Sequence, residues 1–291
     1  MSEVLLLTPA DVRSLAARLD VTPTKKLGQN FVIDANTVRK IVATAEVQPG
    51  ETVLEVGPGL GSLTLGLAEA GADIVAIELD KRLAAELPTT MAGRARGKKI
   101  TVIQGDAMVV TDIPGEPVRL VANLPYNVSV PVLLHLLKHL DSLRSGVVMV
   151  QAEVGHRLIA APGSKIYGSP SVKAAWYGQW KQVGTVSRQV FWPVPNVDSV
   201  LIGFERWPDS MGRAARTPEN EALRERVFEI VDAAFGQRRK MLRQALAIVF
   251  GHPETATKAL EAAGIDPTLR GEQLGIDEYI RIASIDPSSL G

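Results

Sequence analysis

Between residues 52 and 152 the apolar positions come in short unbroken runs rather than in strict alternation. The runs at 52–56, 72–79, 99–104, 118–122 and 146–152 have the length of strands and end at turn-forming residues. Separating them, 62–70, 82–91 and 130–140 carry apolar residues at helical spacing, the last with Pro131 in its first turn. Continuous apolar runs suit strands buried on both faces, and their alternation with helices predicts a mostly parallel sheet covered on both sides. Upstream, Asp34 can cap a helix presenting Val38, Ile41, Val42 and Ala45 on one face. Further upstream, Thr8-Pro9-Ala10-Asp11 reads as a helix start with Val12, Leu15, Ala16 and Leu19 on one stripe. Residues 1–21 are expected to be a partly ordered N-terminal extension with no readable role.

The pattern changes after residue 152. Residues 153–160 and 171–180 are predicted as helices around a loop at 162–170. Residues 183–190 and 200–205 alternate as two strands around Phe191-Trp192-Pro193-Val194-Pro195, a pair expected to close one sheet edge. Periodicity is lost over 206–216, and the chain beyond it reads as helical, punctuated by Gly251, Gly264 and Gly271. The expected organisation is therefore an extension (1–21), an α/β domain (22–206) and a small all-α C-terminal domain (207–291).

Composition removes several classes of chemistry. There is no cysteine, so disulfides, thiolate metal sites and a cysteine nucleophile are excluded. His135 and His139 sit four apart but lack the glutamate of H-E-x-x-H, so no metal is expected. No apolar run approaches the roughly 18 residues that span a bilayer, and the N-terminus has no basic signal region. A cytoplasmic protein without membrane contact is expected. Lys and Arg total 32, as do Asp and Glu, yet the balance is uneven. Residues 233–250 hold Arg238, Arg239, Lys240 and Arg243 without an acid, whereas 251–291 hold seven acids against three bases. A neutral total thus hides a basic face, expected on a helix and able to track phosphates, with Lys25 and Lys26 extending it.

The strand ends carry the candidate chemistry. Gly57-Pro58-Gly59-Leu60-Gly61 follows the first run of the sheet, where a glycine turn lets backbone approach a ligand at a helix N-terminus. Glu78 lies 21 residues after Gly57, at the end of the next strand, placed to accept both hydroxyls of a ribose. Ser62 stands where a dinucleotide fingerprint needs its third glycine, so an adenosine-containing ligand is indicated and NAD is not. Asp106 ends the third strand, placed to accept from an adenine amino group. The fourth strand runs into Asn123-Leu124-Pro125-Tyr126, where Pro125 stops it and leaves an amide, a carbonyl and an aromatic ring at the ligand-binding end.

Seven motifs, in order, make the chain resemble the ribosomal RNA adenine N6-dimethyltransferases, over residues 22–285. They are Gly28-Gln29-Asn30-Phe31, Glu55-Val56-Gly57-Pro58-Gly59, Ile77-Glu78-Leu79-Asp80, Gly105-Asp106-Ala107, Asn123-Leu124-Pro125-Tyr126, Phe191-x-Pro193-x-Pro195-x-Val197-x-Ser199 and Phe235-Gly236-Gln237-Arg238-Arg239-Lys240. The likeness looks closest to the small-subunit enzymes. It implies a Rossmann-like class I methyltransferase sheet, and S-adenosylmethionine held by Asn30, Val32, Gly57, Gly59, Glu78, Asp106 and Asn123. Val32 stands where the family usually has leucine. It further implies N6,N6-dimethylation of adenines, two adjacent loop adenines near the 3′ end of small-subunit rRNA within a pre-ribosomal subunit, by a monomer.

An adenine exocyclic nitrogen is a weak nucleophile because its lone pair is delocalised into the ring. The Asn123 side-chain oxygen and the Pro125 carbonyl can each accept one of its N–H bonds, drawing the nitrogen toward tetrahedral and aiming its lone pair at a methyl donor. Tyr126 would stack on the base and Phe191 close its other side; the alternative for Phe191 is a core anchor between prolines. Three other functions remain open at this stage: an assembly factor sensing rRNA conformation, a large-subunit rRNA methyltransferase conferring antibiotic resistance, and small-molecule methylation, which the long helical C-terminal part disfavours.

Overall fold

The computed structural model describes residues 3–21, 30–211, 215 and 217–286. In chain order the elements are α1 (Pro9–Arg18), β1 (Phe31–Val32), α2 (Ala35–Thr44), β2 (Thr52–Val56), α3 (Ser62–Ala70), β3 (Asp73–Glu78), α4 (Lys81–Arg94), β4 (Ile100–Gln104), β5 (Arg119–Asn123), α5 (Ser129–His139) and β6 (Ser145–Gln151). There follow α6 (Ala152–Leu158), α7 (Ser169–Tyr177), β7 (Gly178–Val186), β8 (Phe191–Trp192) and β9 (Ser199–Arg206). The helices α8 (Pro218–Gly236), α9 (Leu242–Ala245), α10 (Ala247–Phe250), α11 (Pro253–Ala262) and α12 (Ile276–Ala283) complete the chain. The chain divides into two compact units, one of Met1–Gly155 with Lys181–Arg206, the other of His156–Trp180 with Trp207–Gly291.

The first unit is organised by a seven-stranded sheet of order β4-β3-β2-β5-β6-β9-β7. The first five strands pair in parallel, and β9 runs antiparallel to β6 with Met149 opposite Leu201. The expected α/β architecture with an antiparallel edge and a helical C-terminal part is what the chain adopts. Its central strands were readable because both their faces are covered: Val53, Leu54, Leu120, Val121 and Ala122 are all fully buried. Strand order reverses between β2 and β5, and a sheet of this kind offers its crevice at that switch point.

Several details depart from the pattern reading. Residues 3–21 are folded onto the first unit rather than partly ordered. Thr8 and Asp11 form a capping box on α1, and Leu7, Val12, Ala16 and Val21 are buried in the main core. The helix expected over 171–180 starts earlier and yields to strand at Gly178. The strand expected to reach residue 190 stops at Val186, and a 3-10 turn over Arg188–Val190 leads into β8. There β8 pairs with β1 rather than with the large sheet, setting Phe31 opposite Trp192 and Val32 opposite Phe191. That pairing spans the whole first unit in sequence, so local periodicity carried no sign of it.

The second unit is helical. Thr217 caps α8 by accepting from the Asn220 N–H, with Pro218 in the first turn. Its core is built on Val227, Ile230, Val231, Leu242, Leu246 and Tyr279. Two buried tyrosines spend their hydroxyls on backbone carbonyls, Tyr167 on Leu274 at 2.9 Å and Tyr279 on Gly271 at 2.8 Å. Residues 156–180, placed with the α/β part by sequence, cluster with this unit instead. Among the described residues no helix is long and apolar enough to cross a membrane.

Candidate active site

The C-terminal ends of β2, β3, β4 and β5 open into one cavity of about 370 Å³, the size of a small-molecule site. Every residue assigned to a cofactor from sequence lines it: Asn30, Val32, Gly57, Gly59, Glu78, Asp106 and Asn123. Pro125 lines it too, whereas Tyr126 and Phe191 do not. Lys25, Lys26, Gly28 and Gln29 lie outside the described residues. The turn after β2 is made possible by Gly57 and Gly59 at φ +67° and +59°. Gly59 has a second reason to lack a side chain. A Cβ there would sit 2.9 Å from the Phe31 ring, which itself forms part of the cavity wall.

Two carboxyl groups define the polar side. Glu78 is 6% exposed, and its Oε2 and Oε1 accept the backbone N–H groups of Gly59 (3.0 Å) and Asp80 (2.9 Å). Burial pushes its pKa up, and those two bonds oppose the rise. A carboxylate so held keeps further lone pairs for ligand hydroxyls. Glu55, which the sequence reading used only as part of a motif, is 1% exposed and also lines the cavity. Its Oε2 accepts the Thr64 hydroxyl at 2.7 Å, and burial pushes its pKa up to about 8. Beside them Ser62 Oγ is buried with no hydrogen-bond partner among the described residues, on the wall at the N-terminus of α3. An orphaned hydroxyl, an ionisable acid and a glycine turn around one cavity fit a polar, nucleoside-like ligand.

On the next strand end, Asp106 turns one carboxylate oxygen onto the Met108 N–H at 2.8 Å, shaping the loop 105–108 that forms another wall. Asp80, which the sequence reading used only as part of a motif, also faces the cavity, as do Leu83, Asn127 and Val128, which it did not single out. No motif spacing singles out the last three, which reach it from the first turn of α4 and from the residues just before α5.

Asn123 ends β5 with its amide oriented. The Nδ2 donates to the Asn30 carbonyl at 3.0 Å, so the end left to accept is Oδ1. The Pro125 carbonyl takes the Val128 N–H at 3.2 Å and retains one lone pair. Tyr126 is tethered through its hydroxyl to Ser199 Oγ at 2.7 Å, which explains the serine that closes the Phe191–Ser199 motif. Phe191 stands on β8, outside the cavity lining. At 1% exposure it is among the most deeply buried large side chains, part of the main core and opposite Val32 on β1.

Within the second unit, Arg238, Arg239 and Lys240 lie on a turn and not on a helix, because α8 ends at Gly236 and α9 begins only at Leu242, whereas Arg243 lies on α9. Arg238 is committed within the protein, pairing Glu272 at 2.6 Å and the Lys165 carbonyl at 2.8 Å. Arg239 and Lys240 are exposed, and Arg243 is half-buried. Among the described residues no group of three or more acidic or histidine side chains could hold a metal ion.

Comparison with known proteins places these features. A family model described as "Ribosomal RNA adenine dimethylase" matches residues 22–285. The chain is 63% identical over 286 residues to the ribosomal RNA small subunit methyltransferase A of Leifsonia xyli subsp. xyli, covering 98% of this chain and 100% of that one. Its identity to the similarly named protein of Kineococcus radiotolerans is 57%, covering 97% and 92% of the two. Among solved structures, a dimethyladenosine transferase from Plasmodium falciparum superposes with a TM-score of 0.70 at 21% identity, over 86% of this chain and 94% of that one. The 23S rRNA methyltransferase ErmE gives 0.62 at 25% identity, over 87% and 98%.

Proposed function

The chain belongs to the ribosomal RNA adenine dimethylase family, and from that premise we propose how its residues carry the reaction. It is an S-adenosylmethionine-dependent methyltransferase of ribosomal RNA adenines. Relatives at 63% and 57% identity are named for the small subunit, against 25% for the 23S enzyme, which favours small-subunit rRNA as substrate. In this reading the targets are two adjacent loop adenines near its 3′ end, dimethylated within a pre-ribosomal subunit by a cytoplasmic monomer.

The observation that carries the reading is the convergence of Gly57, Glu78, Asp106 and Asn123, from four strand ends, on one cavity. Glu78 accepts the two ribose hydroxyls and Asp106 the adenine amino group of the methyl donor. The Gly57–Gly59 turn, Asn30 and Val32 bring backbone against its amino-acid end. S-adenosylmethionine, when bound, supplies the methyl group from its sulfonium. Asn123 Oδ1 and the Pro125 carbonyl accept the two N–H bonds of the target adenine and fix its lone pair in line. Tyr126, held at its hydroxyl by Ser199, offers its ring as the stacking face. An N-methylated adeninium sheds its proton readily, so no strong base is required. Arg239 and Lys240 are the cations placed to meet phosphate, with Arg243 beside them; Arg238 serves the fold through Glu272.

Glu78→Ala tests the assignment. Loss of a charged acceptor of two hydroxyls should weaken S-adenosylmethionine binding by roughly 1.5–3 kcal/mol in titration calorimetry. An unchanged dissociation constant would remove the ribose assignment.

A further inference from the structure

The N-terminal segment 3–21 runs along α4 and grips it at three levels. At the helix C-terminus, Arg94 pairs Asp11 at 2.7 Å, and its backbone carbonyl accepts the Leu5 N–H at 2.9 Å. Midway, Arg18 pairs Glu86 at 2.6 Å. At the N-terminus, Arg82 donates to the backbone carbonyl of Asp20 at 2.6 Å. Only this last contact lies near the cavity. Arg82 also holds the Asp80 carboxylate with two nitrogens, at 2.8 and 3.2 Å, and the Asp80 backbone N–H in turn donates to Glu78 at 2.9 Å.

Two features set Arg82 apart from an ordinary surface pair. It stands in the first turn of α4, where the helix dipole disfavours a cation, so its position needs local anions and carbonyls to hold it. The Asp20 carbonyl is aimed by a specific helix ending. Asp20 takes φ +50°, its N–H bonds Ala17 and that of Val21 bonds Ala16, which is a Schellman ending with aspartate in the left-handed place glycine usually fills. The α1 terminus is thus shaped to present one carbonyl to one guanidinium. Arg82 also offsets the Asp80 charge, which otherwise raises the pKa of the neighbouring Glu78.

We propose that the C-terminal end of α1 is a positioning element for the methyl-donor site: the Asp20 carbonyl fixes Arg82, Arg82 fixes Asp80, and the Asp80 N–H fixes the Glu78 carboxylate in its ribose-binding orientation. The inference rests on the reading that Glu78 receives the ribose. Arg82 is a positioning residue and touches no ligand.

The test measures the dissociation constant of S-adenosylhomocysteine by calorimetry, with the apo melting temperature and steady-state kinetics, for R82A, R82K, R18A, E78A and the double variant E78A/R82A. Truncating Arg82 should weaken binding by about five- to tenfold and raise KM for the methyl donor at unchanged kcat. Lysine, a single ammonium that cannot bridge both partners, should fall between. R18A, which loosens the same helix away from the cavity, should lose comparable melting temperature at unaltered affinity. The double variant should bind no more weakly than E78A alone, since Arg82 acts through Glu78. Wild-type affinity in R82A, equal weakening in R18A, or additive losses in the double variant would each overturn the proposal. Wild-type affinity in E78A would instead remove the ribose reading on which it stands.

Discussion

Glu55→Gln should abolish a pH dependence of stability that the cavity wall imposes on the fold. The acid is buried on β2 against α3, and its pKa rises from an ordinary 4.5 to about 8, chiefly by burial and further by the Glu78 charge. The Thr64 hydroxyl opposes the shift. Below pH 4.5 the folded and unfolded chains both hold this proton, and the group's contribution is fully present. Between 4.5 and about 8 the folded chain keeps a proton the unfolded chain has released, so stability falls as pH rises. At about 1.4 kcal/mol for each unit, the gap gives roughly 3–5 kcal/mol lost across the window, with 5 as the ceiling. Glutamine keeps the volume and an acceptor for Thr64 but does not titrate. Urea unfolding from pH 4.5 to 8.5, with hydrogen exchange at the β2 amides, should show wild type losing this advantage over E55Q as pH rises. A wild-type-minus-variant difference that stays flat with pH would refute the reasoning.

Ser199→Ala removes the anchor of the Tyr126 hydroxyl. With one hydrogen bond worth about 1 kcal/mol lost from base placement, methyl transfer at saturating donor should slow by roughly five- to tenfold, donor affinity staying at the wild-type value in calorimetry. Reversing Arg239 and Lys240 to glutamate should flatten the log-affinity against log-salt slope for rRNA by about one unit for each lost phosphate contact. Arg238→Ala, which breaks the link to Glu272 and Lys165, should instead lower the melting temperature and leave that slope intact.

What could be read in the chain beforehand was whatever depends on neighbours in sequence. The buried strands β2, β3 and β5 announce themselves because both faces are covered, leaving no polar alternation to obscure the run. Glu78 and Asn123 were legible because each ends such a strand, Asp106 because it follows the edge strand β4, and strand ends face the same crevice. What stayed hidden depends on partners distant in sequence. Nothing local marks Arg82 as the partner of Asp20, 62 residues away, nor Arg94 as the partner of Asp11. The segment 3–21 therefore read as a loose extension although Val12 and Ala16 are core residues. Phe191 illustrates an ambiguity of pattern: an aromatic before prolines suits a stacking platform or a core anchor, and its pairing opposite Val32 could not be read from neighbours in sequence. Glu55 was hidden by its own motif, because an acid inside an apolar run signals its burial only once Thr64 is seen to hold it.

The claim that two acceptors at the end of β5 activate the adenine nitrogen is tested most directly by Asn123→Ala. The substitution deletes the side-chain acceptor and leaves the Pro125 carbonyl. Mass spectrometry of digested rRNA after single-turnover reaction at saturating methyl donor separates unmodified, mono- and dimethyladenine. Both transfers should slow by about 10²–10³-fold, the factor expected for one preorganised partner, with rRNA binding preserved. Dimethyladenine formed at the wild-type rate would contradict the account.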